Sequence, residues 1–248
     1  MTRPFPVQFS LHASPDVLEI SIAFRAALDV ALEKNVAEVL TAFGRMGSVG
    51  GLSGESSNPA LASLKLISRD FVLKRTQWIF GDVRIDPASL SILLNMIHYI
   101  HLEDAAVESV LIAWQGYRRE MGISAIKFPK LWPQLSFQLE FGNMLGDGDI
   151  DVTVTFKEPQ NENVLEQVVD AMSAWLLASH RGAYADESFN PSKTAIFLGP
   201  DVMTVSPDRI IWYIEVMRCN ESAFDGLINL LEWVHWHVAR ISIVEVGP

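Results

Sequence analysis

The chain has 248 residues, 49% of them hydrophobic and 20% charged, with 19 basic side chains against 30 acidic ones. That balance excludes intrinsic disorder and collagen-like or coiled-coil designs, and it suits one large or two small domains able to bury a core. The net charge of −11 argues against nucleic acid or an anionic membrane as a direct partner, and it suits a basic protein. Cys219 is the one cysteine, so neither an internal disulfide nor a cysteine-based zinc site is expected. The start, Met1 to Pro6, lacks the apolar stretch of a signal peptide. Ser89 to Leu102 is too short to span a bilayer. The expectation is a cytoplasmic protein.

The chain is written twice. Displaced by 132 residues, Phe5, Phe9 and Phe24 fall on Phe137, Phe141 and Phe156, and Gly50 falls on Gly182. The segment Glu55-Ser-Ser-Asn-Pro59 meets Glu187-Ser-Phe-Asn-Pro191. After a two-residue insertion the shift becomes 134, and Arg75, Trp78, Asn95 and His101 fall on Arg209, Trp212, Asn229 and His235. The agreement in hydrophobic phase predicts a tandem duplication. It divides the chain into a first repeat over 1–112, an aromatic and basic connector over 113–133, and a second repeat over 134–248.

Within each repeat the elements follow in order. A strand at Phe5 to Leu11 (Leu135 to Phe141 in the second copy) precedes one in which Leu18, Ile20, Ile22 and Phe24 alternate with polar positions, and the two are expected to form a hairpin. Ile150, Val152, Val154 and Phe156 repeat that alternation. Leu32, Val36, Val39, Leu40 and Phe43 then recur at helical spacing, as do Val164, Val168, Met172 and Trp175. Two strands follow, Ser63 to Ile67 with Gln77 to Ile85, and Thr194 to Leu198 with Ile210 to Cys219. Asp86-Pro87 starts a second helix, whose copy begins near Asn220. Each repeat closes on a short strand, Val107 to Ile112 or Ile241 to Val246. The resulting ββαββαβ order predicts an α+β protein built from two ferredoxin-like units with an extra strand. Their sheets should be mainly antiparallel, with helices on one face.

Charge is distributed unevenly. Residues 1–112 carry 9 basic and 12 acidic groups, the connector 4 and 1, and residues 134–248 carry 6 and 17. The acidic excess belongs to the second repeat. Asp147, Asp149 and Asp151 run along one hairpin, Glu158, Glu162, Glu166 and Asp170 recur every four residues, and Asp186 and Glu187 follow. Such a stripe repels itself, so something should offset its cost. It is a candidate surface for a basic partner, against the alternative of a merely solvated face.

Signs of catalysis are weak. His98 and His101, and Glu232 and His235, are three apart on helices, but carboxylate–histidine metal sites of that spacing use four facing helices. A packing role is preferred. Asp147, Asp149 and Asp151 lack the closing Glu of a calcium loop. The glycines at 44, 47, 50, 51 and 54 follow a helix instead of opening one, so they form no phosphate loop. The repeated Glu-Ser-x-Asn-Pro reads first as a turn. No metal or other cofactor is expected.

The size, the acidic segment from Asp147 to Glu187 and the aromatic strand Trp78-Ile-Phe-Gly81 resemble the immunity proteins of bacterial toxin systems. The similarity is to immunity family 52, partners of nuclease toxins delivered by type VI secretion. The resemblance implies a non-catalytic protein that binds its toxin tightly and blocks the nuclease. Its acidic face would stand in for phosphates, and Tyr184, Phe189 or Trp175, where exposed, would supply anchors. The rival expectation is a ligand-binding or enzymatic cleft between the repeats, lined by aromatics. A third is a scaffold that only oligomerises.

Overall fold

A computed structural model describes residues 4–104, 106–116, 128–142, 150–185, 196–197, 203–214, 216–217 and 222–247. The protein is α+β, and its described residues form two five-stranded, mainly antiparallel sheets and four α-helices. No helix among the described residues is long and apolar enough to cross a membrane.

The first half contains β1 (Val7–Ser10), β2 (Val17–Phe24), α1 (Val30–Ser48), β3 (Ser63–Val72), β4 (Arg75–Arg84), α2 (Leu90–Asp104) and β5 (Val107–Ala113). Its sheet has the order β1-β5-β2-β4-β3. The second half contains β6 (Gln138–Phe141), β7 (Ile150–Phe156), α3 (Glu162–His180), β8 (Ile196–Phe197), β9 (Met203–Val205), β10 (Arg209–Ile214), β11 (Val216–Met217), α4 (Ser222–His237) and β12 (Ile241–Gly247). The order of its main sheet is β6-β12-β7-β10-β9.

The expected hairpin of the first two strands does not form. β1 runs parallel to β5, with Val7 opposite Val110, and β6 runs parallel to β12. The cause lies in β2, whose inward residues Leu18, Ile20, Ile22 and Phe24 are fully buried. The most apolar strand takes the sheet centre and pairs with β4 and β5, so no edge is left for β1. The expected pairing of Thr194 to Leu198 with Ile210 to Cys219 is met only at its far end, where β8 pairs with β11 in a separate two-stranded sheet; the strand beside β10 is β9.

The helix ends follow from local chemistry. Asp29 caps α1 by accepting from the Leu32 N–H at 2.8 Å, and Asn161, 132 residues on, caps α3 by accepting from Val164 at 3.1 Å. Each helix stops at a left-handed glycine, Gly50 (φ 79°) or Gly182 (φ 76°). The next residue then donates back into the helix, Gly51 to the Met46 carbonyl and Ala183 to Ala178.

One continuous apolar core runs through both halves. α1 packs against α3, and the turn at Pro59–Leu61 packs against α4. Two buried asparagines cross between the halves in reciprocal directions. Asn95 on α2 donates to the carbonyls of Ala183 and Ala185, and Asn229 on α4 donates to those of Ser53 and Lys130. The described ends of the connector are part of this packing. Trp114 is buried, the Trp132 N–H donates to Asn229, and Phe128 lies against Tyr184.

The first Glu-Ser-x-Asn-Pro segment is a turn. Asn58 accepts from the Ala60 N–H, and the Ser56 hydroxyl donates to Asp86 at 2.6 Å. Its second copy, over 187–191, lies outside the described residues.

Candidate protein-binding surface

α3 is built two-sidedly. Leu165, Val168, Met172 and Trp175 face the core, while Glu162, Glu166 and Asp170 stand exposed on successive turns. Glu162 in the first turn also suits the positive end of the helix dipole. Glu158 is exposed in the loop before the helix.

The four acids differ in their partners. Arg45 of α1 donates to Asp170 at 2.8 Å, so that carboxylate is engaged within the chain. Among the described residues, Glu158, Glu162 and Glu166 have no basic side chain within ion-pair distance. A second ion pair crosses the helix contact the other way, from Arg181 at the end of α3 to Glu38 on α1. Arg45 is thus a neighbour of the acidic stripe that the sequence did not reveal. Only the packing of α1 on α3, 125 residues apart at this point, brings it to the stripe.

The remaining expected residues do not join one surface. Asp151 lies on β7 between the inward Ile150 and Val152 and pairs across from Tyr213, on the sheet face turned away from α3. It is separated from the helix stripe by the thickness of the sheet. Tyr184 is 1% exposed and packs against Phe128 and Gly226, and Trp175 is fully buried, so neither presents a ring to a partner. Trp175 is buried on the core face of α3, and Tyr184 is buried because the glycine-terminated end of that helix folds residues 183–185 back toward α2. Asp147, Asp149, Asp186, Glu187 and Phe189 lie outside the described residues.

The exposed aromatic side chains of the second half, among the described residues, are Phe141 at 52% and Trp236 at 49%. Trp236 is fixed in place. Its indole N–H donates to Glu232 at 2.8 Å, and the Arg240 guanidinium lies 4.6 Å from the ring centre. The sequence signal was its position on α4, on the side opposite the apolar stripe of Leu227, Leu231 and Val234.

Glu232 and His235 have structural partners. Buried Glu232 accepts from the Ser136 N–H, the Ser136 hydroxyl and the Trp236 indole, tying the strand leading into β6 to α4. His235 Nδ1 accepts from the Ile241 N–H, and His98 and His101 pack on the Phe5 ring. No group of three metal-ligating side chains occurs among the described residues.

Burial pushes the His235 pKa down; Glu232 opposes that shift, and the charges of Arg240 and Lys157 add to it. The fold therefore prefers neutral His235. Its stabilising contribution is complete above the ordinary value of 6.5 and is lost as pH falls through and below it. The melting temperature is expected to drop between pH 7.5 and pH 5. His235→Gln should melt lower at pH 7.5 but show a smaller drop, checked by thermal melts at both pH values.

A groove of about 450 Å³ lies on the outer face of the first sheet, over Ser21, Ala23 and Ser109 and beside Arg75 and Gln77. It does not lie between the halves, where the cleft of the rival expectation would be.

No protein-family model matches the chain, and no curated protein matches it. Solved structures give only faint likenesses. A conserved protein from Enterococcus faecalis V583 is 6% identical with a TM-score of 0.21, covering 92% of this chain and 76% of that one. The periplasmic protease PqqL from Escherichia coli is 9% identical with a TM-score of 0.19, covering 91% and 34%. A chain of Complex III2 from Candida albicans is 9% identical with a TM-score of 0.20, covering 92% and 73%. Likenesses of this size carry no argument about fold or function.

Proposed function

We propose that the chain is a non-catalytic immunity protein, similar to immunity family 52, that neutralises a cognate nuclease toxin by binding it through the acidic surface of its second half. The observation that carries the reading is the run of Glu158, Glu162 and Glu166, exposed and without a basic partner among the described residues. Like charges one helix turn apart cost a few tenths of a kcal/mol each. Arg45 relieves that repulsion only at Asp170. A nuclease surface that grips phosphates is basic, and it would supply the missing countercharge and be steered toward this helix. Exposed Trp236 and Phe141 replace Tyr184 and Trp175 as the aromatic candidates for anchors.

We also infer that the two halves are a tandem duplication of a ferredoxin-like ββαββαβ unit. Supporting this are the matching strand orders and the caps Asp29 and Asn161 at one spacing, with Asn95 and Asn229 at the other.

The test is the combined charge reversal Glu158→Lys, Glu162→Lys and Glu166→Lys, with the Arg45–Asp170 pair left intact. The association rate with the toxin's nuclease domain should fall about 100-fold at low salt, and the loss should shrink as salt rises. The melting temperature should stay near that of the wild type. Equal association rates at low salt would sink the proposal.

A further inference from the structure

We propose that β3, the outer edge of the first sheet, pairs antiparallel with β3 of a second copy of this chain about a two-fold axis. The surface belongs to the first half, so this dimer is independent of the acidic helix and leaves it open.

β3 is ten residues long and stands last in its sheet, and its six residues Lys65 to Asp70 are exposed in an unbroken run. Such an edge carries backbone N–H and C=O groups ready to accept another strand. Leu61, Leu66, Ile67, Val72 and Leu73 lie along it. They are five of the eleven large apolar side chains exposed among the described residues.

Charge complementarity names the occupant. Leu66 pairs with Phe80 and Ser68 with Ile79, so Ile67 is the extra residue of a bulge. The bulge changes which residues share a face. Lys65 lies opposite Gly81 and Asp70 opposite Gln77, both on the outer side of the sheet, whereas Leu66 and Arg69 lie opposite the buried Phe80 and Trp78. The run Lys-Leu-Ile-Ser-Arg-Asp is therefore self-complementary when turned end to end. Lys65 meets Asp70 of the second copy, Leu66 meets the stem of its Arg69, and both pairs occur twice by symmetry.

In the same register the exposed Leu73 comes beside Leu61 and Ala62 of the other copy. A slip of one residue would set the outward Lys65 against the inward Arg69, so the alternation of faces disfavours that neighbouring register. Lys65 is already held on the outer side by Asp82 at 3.1 Å, and Asp70 has no ion pair among the described residues.

The full chain should sediment with twice its 27.6 kDa mass at micromolar concentration. Asp70→Lys, which touches no ion pair within the chain, should raise the dissociation constant at least about tenfold. Adding Lys65→Asp to it should restore the dimer. Because Lys65→Asp also disturbs Asp82, a second measurement uses the unaltered chain. In a mixture of isotope-labelled and unlabelled protein, a zero-length amine–carboxyl crosslinker should join Lys65 of one copy to Asp70 of the other. A monomer at every concentration, a dimer indifferent to Asp70→Lys, or a Lys65–Asp70 crosslink absent between copies would overturn the proposal.

Discussion

Replacing Asn229 with alanine is expected to destabilise the protein by about 3 kcal/mol and lower its melting temperature by roughly 6–12 °C. The side chain is fully buried. It donates to the Ser53 carbonyl at 2.8 Å and the Lys130 carbonyl at 3.1 Å, and it accepts from the Trp132 N–H at 2.8 Å. Alanine can replace none of these bonds, and the Ser53 carbonyl would be stranded where water is excluded, with the Lys130 carbonyl and the Trp132 N–H in part-buried positions. Ser53 would fare worst, because its buried hydroxyl already has no hydrogen-bond partner among the described residues. Asn95→Ala, which frees the carbonyls of Ala183 and Ala185, should cost about 2 kcal/mol. Chemical denaturation of both variants measures the two values. A loss under 1 kcal/mol for Asn229→Ala would mean that the halves are not held by this exchange.

Trp175→Ala should cost about 4 kcal/mol, the range for removing a large aromatic from a core. Trp175 is fully buried, its indole N–H donates to the Ala223 carbonyl at 2.8 Å, and its ring meets that of Trp212 edge-on at 5.7 Å. The change both opens a cavity between α3 and the second sheet and strands a carbonyl at the start of α4. Trp175→Phe keeps most of the volume and loses the hydrogen bond, so it should cost about 1–2 kcal/mol. Thermal or urea melts check both values. If Trp175 were an anchor for a partner, Trp175→Phe would weaken binding more than folding. The burial predicts the reverse, with partner affinity unchanged.

Periodicity made much of this fold legible, because alternation and helical spacing are direct records of burial. The inward residues of β2 and β7 and the apolar faces of α1 and α3 follow from it. Pairing was not legible in the same way. Neighbouring strands in sequence suggested a hairpin, but β1 lies beside β5, a hundred residues away, because the competition for the sheet centre is settled by the whole set of strands. The candidate site shows the same limit. A four-residue spacing places Glu162, Glu166 and Asp170 on one side of a helix. Nothing local to α3 reveals that Arg45 will reach Asp170, or that Asp151 will face the other side of a sheet. Tyr184 shows the converse. It sits in a polar-looking loop, yet the left-handed turn at Gly182 folds that loop into the contact between halves.

The acidic surface of the second half is most directly tested by capture from the source organism's lysate at low salt, with the wild type and the Glu158→Lys, Glu162→Lys, Glu166→Lys variant as parallel baits. The proposed function predicts that the wild type retains one protein with a basic nuclease domain at near one-to-one stoichiometry and releases it as salt is raised. The variant, equally folded by thermal melt, should retain none. Recovery of that nuclease equally by both baits would contradict the assignment of binding to this helix.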